Sequence, residues 1–276
     1  MKIKFLGTAA AEGVPALFCN CPACTHAKKV GGRDVRTRSQ ALIDESLLID
    51  FPADTYLHII NYGLDLEKIT DILITHSHSD HFYIDDILMR LNGFSNFDDS
   101  KKLNIYANQA VCKKLNENKY MQKLQSNGIV KVIYIEPFKS LDIGGYKVTS
   151  LIADHDSKED SLIYLIEKQG KALLYAHDTG YFPEKTMKYL ERSDIHIDFA
   201  TFDCCYSLNH YEKGHLGFDE VMVMKQRLCD VGVIDQSTIC CVNHFSHNGA
   251  LSYENMSAHT AKYGFLTSYD TMETEF

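Results

Sequence analysis

The stretch LITHSHSDHF, Leu73–Phe82, decides how the rest of the chain is read. The run DILIT has the length and composition of a short buried strand. It delivers a loop that carries His76, His78, Asp80 and His81, an H-x-H-x-D-H pattern. Imidazole and carboxylate are good ligands for divalent metals of intermediate softness. Alternation in an extended segment points His76 and His78 to the same side. Asp80 and His81, beyond a turn, can then face a second ion. A polar loop capping the helix expected near Asp85 needs only one such residue, so the cluster reads as a metal site.

Working outward, further ligands are expected at other strand ends. Asp178 in LLYAHDTG, His155 in LIADHDS and His244 in CVNHFSH each follow an apolar run. The coarse rhythm is of strands alternating with helical stretches. KIKFLG, both halves of ALIDESLLIDF, VKVIYIEP, YKVTSLIAD, SLIYLIEK, KALLYAHD, IDFATFDC, TICCVNH and FLTSY read as strands, with a hairpin turn at EKQGKA. TYLHIINYG, IDDILMRLNG, NQAVCKKLNENKYMQKLQ, GFDEVMVMKQRLC and LSYENMSAHTAKYG read as helical. This pattern predicts a layered α/β fold with sheets packed inside helices. No repeat or linker marks a boundary, so residues 1–276 read as a single domain.

The chain carries nine cysteines and a formal net charge of −9. An acidic surface argues against broad nucleic-acid binding. No apolar run approaches the roughly 20 residues of a spanning helix, and the first residues lack the apolar core of a secretory signal. A soluble cytoplasmic protein is expected. Clustered thiols in a reducing compartment point to metal rather than disulfides. Cys19, Cys21 and Cys24 offer three thiolates in FCNCPACTHAKK, and a closed structural zinc site needs a fourth ligand. His26 and His247 are the candidates. Cys204–Cys205 and Cys240–Cys241 end apolar strands and read as buried thiols rather than ligands. Lys28, Lys29, Arg33, Arg36 and Arg38 form a basic stretch that either steers a phosphate at the site mouth or is a solvated loop.

THSHSDH, followed in order by His155, Asp178 and His244, resembles the metallo-β-lactamase superfamily, and the resemblance covers essentially the whole chain. It implies an αββα sandwich with a two-metal site at one edge of the sheets. Carried over, one ion takes His76, His78 and His155, the other takes Asp80, His81 and His244, and Asp178 bridges them. Zinc and manganese share such ligands. Within the superfamily, GTAAAEGVPALFCNCPAC resembles the phosphoribosyl cyclic phosphate phosphodiesterases of phosphonate breakdown. That branch implies a knuckle around residues 19–24, with a structural zinc on Cys19, Cys21, Cys24 and His247. It also implies a homodimer, and His215 as the general acid, with His177 and His210 as local competitors. Asp80, Asp178 and His215 are then the catalytic residues.

The resulting expectation is a metal-dependent phosphodiesterase acting on a small cyclic phosphate ester. Its rivals are a tRNA 3′-processing endonuclease, for which no basic arm is found, and a zinc-stabilised binding module without turnover. A complete set of seven ligands argues against the latter.

Overall fold

A computed structural model describes residues 1–98, 100–249 and 251–276. In chain order the strands are β1 Lys2–Gly7, β2 Gln40–Ile43, β3 Leu47–Ile49, β4 Asp71–Leu73, β5 Leu103–Ala107, β6 Val130–Tyr134, β7 Ser140–Ile143, β8 Tyr146–Ile152, β9 Leu162–Lys168, β10 Lys171–Ala176, β11 Phe199–Asp203, β12 Ile239–Asn243, β13 Phe265–Thr267 and β14 Glu273–Glu275. They form two seven-stranded sheets, ordered β14-β1-β2-β3-β4-β5-β6 and β13-β12-β11-β10-β9-β8-β7. Helices α1 Pro22–Val30, α2 Thr55–Tyr62, α3 Ile84–Ile87, α4 Gln109–Glu117, α5 Lys119–Ser126, α6 Glu184–Arg192, α7 Phe218–Asp230 and α8 Tyr253–Thr260 complete the described elements.

Period-two side-chain alternation explains the layering. In β9, Leu162, Tyr164 and Ile166 face the opposing sheet and pack with Phe5, Ile43, Leu73 and Phe199. Its Ile163 and Leu165 face the other way, onto Leu190, Phe218, Val221 and Met224 of the flanking helices. Leu48, Ile72 and Ile105 likewise pack outward with Val111, Leu115 and Met121. Both faces of each sheet are therefore apolar, and the result is the αββα sandwich.

Several elements differ from their sequence reading. IDDILMRLNG makes only one α-turn, continued as a 3₁₀ turn over Leu88–Arg90, because Leu91 leaves helical backbone at ψ 142°. The stretch from Gln109 to Gln125 breaks at Asn118, whose side chain accepts from the backbone N–H groups of Tyr120 and Met121 and so starts a new helix. Strands β5, β7 and β14 and helices α1 and α6 were not expected. The basic stretch does not behave as one unit: Lys28 and Lys29 are exposed in the last turn of α1, whereas the arginines find partners. Arg36 is buried, donating to Thr8 Oγ1 and the Ser268 carbonyl, both at 2.8 Å. Arg38 pairs with Asp54, and Arg33 lies over Tyr253 and Tyr269. Their distant partners convert these charges into structural ties. No described helix is long and apolar enough to cross a membrane.

Candidate metal centre

The chain leaves the C-terminal ends of β3, β4, β8, β10, β11 and β12 at one edge shared by the sheets. From β4 come His76, His78, Asp80 and His81. From β8 comes His155, from β10 Asp178 and from β12 His244. Asp178 and His244 turn sharply off their strands in left-handed backbone, at φ 50° and 65°. Such a conformation is costly for residues with a Cβ, and here it aims both side chains back into the centre.

Two groups of donors result. His78 Nδ1 lies 3.0 Å from His76 Nε2 and 3.2 Å from His155 Nε2. Asp178 Oδ2 lies 2.7 Å from His81 Nε2 and 3.0 Å from His244 Nε2, and Asp80 Oδ2 is 3.2 Å from His81 Nε2. Asp178 joins the groups, because its Oδ1 is 3.6 Å from His155 Nε2. His81 Nε2, Asp178 Oδ2 and His244 Nε2 are buried without a hydrogen bond. Leaving such groups unpaired is expensive. Convergent, unpaired nitrogens and carboxylate oxygens are what divalent ions require, so these residues fit a metal pair.

The far side of each ring supports this. His76 Nδ1–H donates to Thr75 Oγ1 at 3.0 Å, and His78 Nε2–H donates to Asp156 Oδ2 at 3.2 Å. His81 Nδ1–H donates to Asp50 Oδ2 at 2.7 Å, and His155 Nδ1–H donates to the Gly214 carbonyl at 3.1 Å. Each bond fixes the tautomer that presents a lone pair inward. Gly214 has φ +78°, and a Cβ there would reach 3.9 Å from His155 Nδ1. His244 Nδ1 faces Asp203 Oδ2 at 3.3 Å without hydrogen-bond geometry.

Asp203, at the end of β11, is a hub that sequence reasoning missed. Its Oδ1 accepts from the backbone N–H groups of Cys205 and Leu216, and its Oδ2 from the Asp178 N–H and from His215 Nδ1, all at 3.0 Å. Asp50 was missed too, although both acids end apolar strands as Asp178 does. Burial is the largest effect on Asp203 and opposes ionisation, but His215 and His244 together outweigh it and hold the carboxyl well below its ordinary range. Burial likewise opposes a charge on His215, yet Asp203 raises its pKa above 6.5. His76, without so close an acid, is driven well below 6.5 by burial.

Of the three histidines considered as acids, His215 is partly exposed and lies 3.7 Å from Asp178 Oδ1. His177 is buried against Tyr175 and Asn243, and burial pushes its pKa to about 3. His210 is exposed and paired with Glu220. The knuckle assembles separately. His247 Nδ1 is 3.5 Å from Cys19 Sγ and 3.4 Å from Cys21 Sγ, and Cys24 completes the group. Cys21 caps α1 and accepts from the Cys24 N–H; this bond and His247 lower its thiol pKa to about 6, while burial lifts Cys24 to about 11. His26 turns instead toward Asp34, at 3.8 Å. Cys204, Cys205, Cys240 and Cys241 are buried, but Cys205 also lies within ligand reach of His215 and His244.

The sequence profile of the β-lactamase superfamily domain matches residues 52–232. The exodeoxyribonuclease WalJ of Streptococcus pneumoniae serotype 2 is 28% identical over 137 residues, 50% of this chain, and the match spans less than half, 46%, of that relative's length. The zinc-bound PqqB of Methylobacterium extorquens has a similar structure, with a TM-score of 0.77 at 18% identity and complete coverage of both chains. A diphosphatase of the PhnP family superposes with a TM-score of 0.73 at 21% identity, covering 100% of this chain and 98% of that one. On its matched profile, which spans well over half of the chain, and with a two-sheet fold that agrees, the chain belongs to the β-lactamase superfamily.

Proposed function

We propose that the protein hydrolyses a small phosphodiester, a cyclic phosphate such as 5-phosphoribosyl 1,2-cyclic phosphate, at a dinuclear centre of zinc or manganese. The observation that carries this reading is Asp178, whose two carboxylate oxygens face different donor groups, His155 on one side and His81 with His244 on the other. His76, His78 and His155 would hold one ion and Asp80, His81 and His244 the other, with Asp178 shared. Two such ions supply Lewis-acid charge for a phosphoryl oxygen and lower the pKa of a bound water. The protein then needs no nucleophilic side chain of its own.

What the chain itself must supply is a proton for the leaving oxygen. His215 Nδ1–H is committed to Asp203, and the same carboxylate raises the pKa of the ring above its ordinary value, which favours its protonated form. Nε2–H is then the donor, in the manner of a general acid. Cys19, Cys21, Cys24 and His247 would hold a structural zinc. A cleft that works on a small ester also agrees with the net charge of −9. A second reading, hydrolysis of nucleic acid, is favoured by the likeness to WalJ but opposed by that charge.

Phosphorus NMR of the metal-loaded protein with the cyclic phosphate tests the proposal, with Asp178→Asn as control. Conversion to an open monoester in the native protein alone is expected. No conversion with both ions bound would discard this substrate, and release of mononucleotides from single-stranded DNA under the same conditions would favour the second reading.

A further inference from the structure

We infer that Cys205, His215 and His244 form a third metal site, selective for thiophilic ions, beside the dinuclear centre. Cys205 lies two residues beyond Asp203, and its backbone is fixed from both ends. Its N–H donates to Asp203 Oδ1 at 3.0 Å, and its carbonyl accepts from the Ser246 N–H at 3.0 Å. The Cys205 sulfur and one nitrogen from each of His215 and His244 lie within 4.8 Å of one another. Asp178, Asp203, His215 and His244 form an overlapping donor group that shares both histidines with the Cys205 group. An independent observation points to a ligand here. His244 is 1% exposed, and its Nδ1, the nitrogen left over when Nε2 faces Asp178, lies 3.3 Å from Asp203 Oδ2 but makes no hydrogen bond.

One sulfur and two imidazole nitrogens suit zinc, cadmium or copper(I) and do not suit magnesium or manganese. Entry of the ion forms the sulfur and nitrogen bonds and releases to solvent the thiol proton, the His244 Nδ1 proton and any proton carried by His215. The ring assigned to protonate the leaving group is then occupied, and excess zinc or cadmium inhibits. The inhibition rests on the proposed role of His215; the binding does not.

Cadmium-113 NMR tests the binding. Protein with a zinc-filled knuckle is titrated with cadmium beyond saturation of the dinuclear centre, and thiolate-to-metal absorption is followed in the ultraviolet. A resonance from a mixed sulfur–nitrogen site is expected in the native protein and absent from Cys205→Ser and Cys205→Ala, whose folding is checked by circular dichroism. The cadmium concentration for half-inhibition should rise about tenfold or more in both variants. Identical resonances in all three proteins would overturn the site. A Cys205-dependent resonance in a protein that cleaves no diester would leave the site standing and remove the phosphodiesterase reading instead.

Discussion

Asp50 Oδ2 accepts a hydrogen bond from His81 Nδ1 at 2.7 Å, with both side chains buried. Asp50 Oδ1 is held in turn by the N–H and hydroxyl of Thr75, at 2.8 and 2.9 Å. The residue before the ligand run therefore fixes the acid that fixes His81. Asp50→Asn keeps the shape, removes the charge and allows the amide to present the wrong atom. Affinity for the ion held by His81 is expected to fall about 10–100-fold, with the other ion less affected. Competition against a chromogenic chelator measures this, and two unchanged affinities would rule out a positioning role.

The knuckle and the centre share one short loop. Between His244 and His247, Phe245 exchanges backbone bonds with the tail of β1, donating to the Thr8 carbonyl at 2.9 Å and accepting from the Ala10 N–H at 3.0 Å. Ser246 donates to Glu12, which also lies 3.6 Å from His247 Nε2. His247→Ala is expected to lose one tightly held zinc, lower Tm by several degrees and weaken the ion bound through His244 several-fold. Metal analysis after mild chelation and calorimetry read these effects. Undiminished zinc stoichiometry would remove His247 from the knuckle.

Why the candidate metal ligands stand out in the sequence and their supports do not follows from where each residue finds its partners. His76, His78, Asp80 and His81 are neighbours in sequence, so their density alone marks chemistry. Asp50 and Asp203 are single acids after short strands, and nothing local separates them from turn residues. Their partners are not adjacent in sequence: His81 lies beyond α2 and β4, and His215 is 12 residues on, in the loop before α7. Arg36 was misread for the same reason, since Thr8 and Ser268 reach it from just beyond the ends of β1 and β13. The sandwich was readable because alternation within β8 to β12 is long and regular. Strand β14 has 3 residues and lies at a sheet edge, where the apolar signal is weak.

Proton and metal compete at the centre with a definite sign. Burial opposes a charge on His81, but Asp178, Asp80 and Asp50 outweigh it and lift the pKa well above 6.5. His244 is raised in the same way, with Asp178 the leading partner. In the metal-free protein this contribution to stability is complete below the unfolded value of about 6.5 and is lost as pH rises through the folded values. Bound ions need the same nitrogens deprotonated, so their affinity rises with pH. The Tm gap between loaded and metal-free protein is expected to widen from about pH 6 to about pH 9. Parallel thermal scans with and without zinc check this, and a flat gap would mean that these histidines do not hold the ions.

His215 and Asp203 separate proton donation from metal binding. Asp203 raises the His215 pKa and fixes its Nδ1, while His215 belongs to neither proposed ion. His215→Ala should lower kcat on an alkyl-type diester about 10²–10⁴-fold while both ions remain bound. A nitrophenyl diester, whose leaving group departs without a proton, should lose far less. Asp203→Asn should act on the same proton donor: with the carboxylate gone, burial dominates, the His215 pKa falls, and the alkaline limb of the kcat profile shifts to lower pH. Equal losses on both diesters, or loss of metal from His215→Ala, would show that His215 serves the ions rather than the leaving group. The two diesters therefore decide the role of His215 whether or not the physiological ester is known.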